Sequence, residues 1–256
     1  MEVIGLQFDI EWENPEANYR KIEDYLAGIS ARSDALIILP EMFATGFSMN
    51  LDATLEAGDL TRSEEFLQKL AKEKGCAVMG GFATPSKRAD RGQNELAVFS
   101  PSGEKICRYQ KNRAFRYTRE ADHYLPGREM VVFDWAGWKI APLICYDLRF
   151  PELFRRATAM GAELITVIAS WPAVRADHWV TLLRARAIEN QAYVVGVNRT
   201  GEDPNLDYPG RSIIIDPWGE ILADGGGDDG LIRAEIDLET VRGWRDDFPA
   251  LEDMEA

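Results

Sequence analysis

The run Ala141-Pro142-Leu143-Ile144-Cys145-Tyr146-Asp147-Leu148-Arg149-Phe150-Pro151-Glu152 decides how the chain is read. It opens apolar and turns polar before a second proline. That order predicts a buried strand, a sharp turn and the start of a helix, with Pro151 near the first helical turn. A thiol at the end of such a strand can face a pocket instead of the core. Cys145 is therefore a candidate nucleophile, although a cysteine in an apolar strand is often an inert core residue.

Strand-like and helix-like segments alternate on both sides of this run. Apolar or alternating stretches predict strands over 3–9, 35–39, 76–84, 95–100, 105–109, 131–134, 138–145, 163–169, 193–198, 211–216 and 231–236. Helical spacing predicts helices over 15–29, 61–74, 151–160 and 177–191, with Asp177 as an N-cap and Gly75 and Gly161 as stops. A polar loop from Pro85 to Gly92 predicts a hairpin, and Asp203-Pro204-Asn205 a turn. Strands joined by both helices and hairpins predict an α/β domain with a mixed sheet and helices outside. No internal repeat, low-complexity segment or linker divides the chain. A single domain over 1–256 is expected, with an acidic tail from about 246.

The 256 residues are 46% hydrophobic, enough for one sizeable core. No apolar run reaches the roughly 20 residues that a membrane span needs. The first ten residues enter an alternating segment directly and do not resemble a secretion signal, so a cytoplasmic location is expected. The net charge of −14 and the lack of a basic stripe argue against nucleic acid as a partner. Cys76, Cys107 and Cys145 are odd in number and widely spaced, which argues against a disulfide framework and a CxxC metal site. With only His123 and His178, mixed Cys and His ligation of zinc is not expected, and both histidines read as structural.

A thiol attacking a stable carbonyl needs a base and an oxyanion partner. Neither histidine sits at a strand end. Glu41 does, directly after Leu36-Ile37-Ile38-Leu39-Pro40, and Lys111 follows Ile106-Cys107-Arg108-Tyr109-Gln110. Catalytic groups of α/β folds collect at strand ends, so these three residues are candidates to converge. Singly, Glu41 also fits a solvated loop, and Lys111 an ordinary charged face with Arg108, Arg113, Arg116 and Arg119.

Taken together, the motifs resemble the nitrilase superfamily of carbon–nitrogen hydrolases. Pro40-Glu41-Met42-Phe43-Ala44-Thr45-Gly46-Phe47 is similar to its glutamate motif, Tyr109 to Phe115 to its lysine motif, and Leu143 to Glu152 to its cysteine motif. Arg184 to Gln191 and Gly210 to Glu220 are similar to two further segments, and all five keep the family order. The resemblance implies a four-layer α-β-β-α sandwich with two mixed sheets and helices outside. It implies Cys145 as nucleophile, Glu41 as general base and acid, and Lys111 with the Tyr146 backbone N–H as oxyanion partners. It places Glu120 where the family has a second glutamate. Arg113 stands where many relatives carry histidine. No metal or organic cofactor is implied. A homodimer is, through helices 151–160 and 177–191, with 246–256 crossing to the partner.

Ser170 to Arg175, with His178-Trp179, resembles the small-amide branch, and omega-amidases within it. The implied substrate is a 2-oxo dicarboxylic monoamide such as 2-oxoglutaramate or 2-oxosuccinamate. Its far carboxylate calls for a guanidinium, and Arg116, between Lys111 and Glu120, is the candidate. Trp171 is a candidate pocket wall, although packing is the commoner role of such a residue. Two alternatives stand beside this reading. One is a related amidase or carbamoylase acting on another small amide. The other is a catalytically silent binding or regulatory module.

Overall fold

The computed structural model describes residues 1–87 and 90–254. Its strands are β1 (Glu2–Gln7), β2 (Leu36–Ile38), β3 (Ala77–Pro85), β4 (Gly92–Phe99), β5 (Lys105–Gln110), β6 (Phe133–Trp135), β7 (Trp138–Ile144), β8 (Leu164–Ala169), β9 (Tyr193–Asn198), β10 (Thr200–Glu202), β11 (Asp207–Pro209), β12 (Ile213–Ile215), β13 (Ile221–Asp224) and β14 (Gly230–Glu235). Its helices are α1 (Pro15–Leu26), α2 (Leu51–Thr54), α3 (Arg62–Lys74), α4 (Glu120–His123), α5 (Pro151–Ala159), α6 (Ala176–Asn190) and α7 (Leu238–Asp247).

All strands but the β10–β11 ribbon fall into two six-stranded sheets, ordered β14-β1-β2-β3-β4-β5 and β6-β7-β8-β9-β12-β13. In the first, β1, β2 and β3 run parallel; in the second, β7, β8 and β9 do. Parallel neighbours need a long crossover, and α1, α3, α5 and α6 provide it. The remaining pairs are antiparallel. The two sheets thus share one architecture, although the sequence shows no repeat. Burial and hydrogen bonding constrain the backbone path and leave the side chains free to diverge.

Alternation along the strands builds the layers. Ile4, Leu6, Ile37, Leu39 and Val78 pack with Ile22 and Leu26 of α1 and with Phe66, Leu67 and Leu70 of α3. The alternate residues Val3, Leu36, Ile38, Ala77 and Met79 join a second core with β7, β8 and β9. The sheets approach so closely at Gly5 that a Cβ there would lie 2.8 Å from Val197 Cγ2. Leu153 and Phe154 of α5 and Trp179 and Leu183 of α6 are fully buried on the other side of the second sheet. The order is therefore helix, sheet, sheet, helix, as the motifs implied.

Local signals set most boundaries. α3 carries a reciprocal cap: Glu64 N donates to Thr61 Oγ1 and Thr61 N to Glu64 Oε2, both at 3.0 Å. Such a cap contributes about 1 kcal/mol. Gly75 then ends the helix at a φ of 66°. Asp177 does not cap α6. The helix starts one residue earlier, after a 3-10 turn over Ala173–Arg175, with Arg175 at the cap position and Asp177 inside the first turn. β13, the β10–β11 ribbon and α7 lie beyond the sequence expectations. α7 buries only Val241, which is too little apolar periodicity to read. The Asp203 turn is present, with Asp203 Oδ1 accepting from Asn205 N and Leu206 N. Part of the expected 85–92 loop, Arg88 and Ala89, lies outside the described residues.

The C-terminal segment lies against its own chain as far as it is described. Gln191 Nε2 donates to Phe248 O at 2.8 Å, and Arg155 Nη1 reaches Met254 Sδ at 3.5 Å. The last two residues of the expected crossing segment lie outside the described residues. Among the described residues no helix is long and apolar enough to cross a membrane.

Candidate active site

β7 stops at Ile144, and Cys145 takes a left-handed φ of 48°. A non-glycine residue there costs of order 1–3 kcal/mol and persists only when its surroundings demand it. Asp147 makes the demand. Its Oδ2 accepts from Ile144 N at 3.1 Å and from Tyr109 OH at 2.8 Å, and its Oδ1 from Arg113 N at 2.8 Å. Burial pushes the Asp147 carboxyl up to about 7, against the pull of Tyr109, Lys111 and the two backbone donors. Cys145 opens a 3-10 turn, Cys145–Arg149, and Pro151 starts α5. Arg186 of α6 clamps that turn through two bonds to Leu148 O, at 2.9 and 3.2 Å.

Glu41 follows β2 through Pro40. Phe43 N returns to Gly81 O at 3.1 Å, and Gly81 N donates to Pro40 O at 3.2 Å. The approach needs glycine, because a Cβ on Gly81 would lie 3.0 Å from Glu41 Cα and 2.7 Å from Ile168 Cδ1. Lys111 follows β5, and its N–H donates to Asn94 O at 2.9 Å. Glu120 opens α4 and accepts from Phe115 N through Oε2.

These side chains meet out of contact with water. Lys111 Nζ donates to Glu41 Oε1 at 2.8 Å and to Glu120 Oε1 at 2.9 Å, and none of the three side chains is more than 2% exposed. Asn94 Nδ2 ties the carboxylates together, at 2.7 Å from Glu41 Oε1 and 3.2 Å from Glu120 Oε1. Ser170 N donates to Glu41 Oε2 at 2.9 Å. Burial alone would lower the Lys111 ammonium, but Glu120 and Glu41 outweigh it and hold Lys111 well above its ordinary value. The Cys145 thiol is pushed up, first by burial and then by the Glu41 carboxylate, with Lys111 and the Ser170 N–H opposing. Both shifts favour a protonated thiol and a charged lysine at neutral pH, a state from which attack by the thiol would need a base.

The pocket that reaches Cys145 is walled by Phe47, Phe115, Tyr146 and Trp171 and carries Arg149 and Arg175. A larger open groove of about 630 Å³ lies elsewhere, among Ile188, Trp218, Trp244 and Phe248, with no cysteine in its lining. Among the described residues no cluster of three His, Cys, Asp or Glu side chains is placed to hold a metal.

The structure brings Glu41, Lys111, Glu120 and Cys145 into one electrostatic unit and places Tyr146 and Trp171 in the pocket wall. It does not bring Arg116 there. Arg116 is exposed and lines an adjoining depression with Arg113, Ala121 and Phe150, divided from the Cys145 pocket at Tyr146, which lines both. It follows Phe115 at the start of a 3-10 turn (Arg116–Thr118), and Phe115 rather than Arg116 takes the pocket side. Arg113 faces outward to Glu152 at 3.2 Å. Cys76 and Cys107 are buried, and burial pushes their thiols up to about 11 and about 12. Asn94 escaped the sequence reading, and Asp147, Arg149, Ser170 and Arg175 lie in segments it singled out but carried no role of their own there. Asn94 fell one residue before the expected strand, yet an asparagine opening an apolar strand is the kind of signal that marks a buried polar contact.

Comparison with known proteins agrees with this geometry. The family described as Carbon-nitrogen hydrolase matches residues 4–246. The 2-oxoglutaramate amidase of Bacillus subtilis (strain 168) is 39% identical over 250 residues, covering 97% of this chain and 95% of its own. The omega-amidase YafV of Yersinia enterocolitica is 41% identical over 252 residues, covering 98% and 95%. A crystal structure of a CN-hydrolase superfamily protein from Xanthomonas campestris, with an arsenic adduct in its active site, superposes with a TM-score of 0.93. It is 32% identical and covers 100% of this chain and 97% of its own.

Proposed function

Because the chain belongs to the carbon–nitrogen hydrolase family, we propose that it hydrolyses the terminal amide of small 2-oxo acid monoamides, 2-oxoglutaramate and 2-oxosuccinamate, to the acid and ammonia. One observation carries the mechanism: Glu41, Lys111 and Glu120 are buried as one charged unit against the Cys145 thiol.

Glu41 takes the thiol proton as Cys145 Sγ bonds to the amide carbon, and the carbonyl electron pair moves onto oxygen. Lys111 and the Tyr146 N–H hold that oxyanion. The Tyr146 N–H suits the role because the first N–H groups of a helical turn lack intrahelical partners. Glu41 returns the proton to the nitrogen, the C–N bond breaks and ammonia leaves a thioester. Water then gives a proton to Glu41 and attacks the thioester carbon. The C–S bond breaks, the thiol recovers its proton and the acid departs. Glu120 and Asn94 keep Lys111 and Glu41 in place throughout.

The same reading takes the whole chain as one catalytic domain with a short tail from about 246, working in the cytoplasm as a homodimer. The half-exposed Met160, Ile188, Trp218 and Phe248 on and around α5 and α6 support that choice of contact face. The test is ammonia release from 2-oxoglutaramate by wild type and Cys145→Ala, with glutamine and a short nitrile for comparison. Strong turnover of 2-oxoglutaramate that vanishes in the variant is expected. Turnover that survives the substitution would break the mechanism.

A further inference from the structure

We propose that Arg149 and Arg175 form the carboxylate-binding end of the Cys145 pocket and so select amides that carry an anionic group at the far end. The inference rests on the amidase reading above and deepens it.

The first argument is charge. The chain carries 43 acidic against 29 basic residues, so carboxylate partners are abundant. Arg108, Arg113, Arg186, Arg199, Arg211 and Arg233 each pair with one. Arg149 and Arg175 form no ion pair among the described residues, yet both line the pocket that holds the nucleophile. They are also near enough to repel. Burial lowers the Arg149 guanidinium, and the charge of Arg175 lowers it further. Two converging cations without a counter-ion, in a protein of net charge −14, suit an anion supplied from outside.

The second argument is how the two side chains are held. The Arg149 guanidinium lies 4.9 Å from the centre of the Trp171 ring, and its Nη2 is 3.0 Å from His178 Nδ1. The Arg175 guanidinium lies 5.4 Å from the Phe115 ring and 5.7 Å from the Tyr117 ring. Aromatic faces fix the plane of a guanidinium and leave in-plane N–H donors free, the arrangement that accepts a carboxylate through paired bonds. Both arginines are also tied to the reacting end by short lengths of chain. Arg149 closes the 3-10 turn that Cys145 opens. Arg175 closes the connection that starts at Ser170, whose N–H holds Glu41, and Trp171 Nε1 donates to Arg175 O at 2.8 Å. A compact substrate with an amide at one end and a carboxylate at the other fits between these points. Trp171, the candidate pocket wall of the sequence analysis, is the plate that orients Arg149.

The test separates binding from turnover. Glutarate and its neutral diamide are titrated by calorimetry into Cys145→Ala, and into the same protein carrying Arg149→Met or Arg175→Met. Glutarate should bind Cys145→Ala and lose about 10-fold or more in affinity with either added substitution, while the diamide loses much less. In the active enzyme, each single substitution should lower the ratio of kcat/KM for 2-oxoglutaramate to that for a neutral amide of equal length by about 100-fold. Arg175→Lys should recover part of that ratio, which a merely structural defect would not do. Equal losses for acid and neutral ligands, or no glutarate binding to Cys145→Ala, would overturn the inference. Wild type that ignores 2-oxoglutaramate while glutarate binding follows the expected pattern would instead sink the substrate reading and leave the anion site standing.

Discussion

Replacing Lys111 by methionine removes the one ammonium that Glu41 and Glu120 share. Each carboxylate has an oxygen within 2.9 Å of Lys111 Nζ, so those oxygens lie no more than about 6 Å apart. At an effective dielectric constant of about 20, two unit charges at that separation repel by about 3 kcal/mol. Removing one partner from a buried ion pair costs about 3–5 kcal/mol, in agreement with that figure. The expected loss of folding stability is thus about 3–5 kcal/mol at about pH 8.5, and it should shrink toward acid. In the wild type, Lys111 is held well above its ordinary value. Its contribution is fully present below the ordinary lysine value and is lost only as pH rises through the raised one, so it gives no slope between about pH 5.5 and 8.5. In the variant, the carboxylate pair must take up a proton on folding. That stabilises at low pH and fades as pH rises, by up to about 1.4 kcal/mol per unit. The assay is urea unfolding at fixed protein concentration, followed by the fluorescence of the buried Trp138, Trp171 and Trp179. Adding Glu120→Gln should remove most of the slope, because one carboxylate is then neutral by construction. A deficit equal at both ends of the pH range, or unchanged by Glu120→Gln, would refute the reasoning.

Asp147→Asn tests the elbow. The Asp147 carboxyl is pushed up to about 7. A raised acid contributes stability below its ordinary value and loses it as pH rises through the raised one. The wild type should therefore lose about 2 kcal/mol relative to the variant between about pH 5.5 and 7, read by urea unfolding; parallel curves would contradict this. Gly81→Ala should lower kcat by about 10-fold or more with KM nearly unchanged, because the new Cβ displaces Glu41 and not the substrate wall. Alkylation of the native protein by iodoacetamide, mapped by mass spectrometry, should mark Cys145 and spare the buried Cys76 and Cys107. Glu41→Gln should slow that labelling by about 100-fold, since the thiol is protonated at rest, and an unchanged rate would remove Glu41 as its base. Arg116→Ala should leave the acid-to-neutral substrate ratio within about 3-fold, because its side chain lines another depression.

The strands and helices were legible because their signals are local. Buried strands such as β8 and β9 read as continuous apolar runs, and Thr61 and Gly75 announced the ends of α3. The elements that escaped lacked such signals. β13 and the β10–β11 ribbon are short and largely exposed, and α7 buries a single residue. Asp177 has the chemistry of an N-cap, but a 3-10 turn the sequence does not announce started the helix one residue before it.

The sequence by itself determined the alternation of strands and helices and, through five ordered motifs, singled out Cys145, Glu41, Lys111 and Glu120, the residues on which the proposed mechanism rests. These residues sit at strand ends or in motifs whose type and spacing survive in one dimension. Tertiary structure alone decided what surrounds them. Asn94 acts from within β4, Ser170 from the end of β8 and Asp147 from the turn after β7, and these meet only after the two sheets stack. It also decided which arginines line the Cys145 pocket. Arg116 is nearer to Lys111 in sequence, but its turn points it away, while Arg149 and Arg175 reach the pocket from two other connections. Side-chain direction depends on local backbone angles and on packing against distant neighbours, and a linear order of residue types records neither.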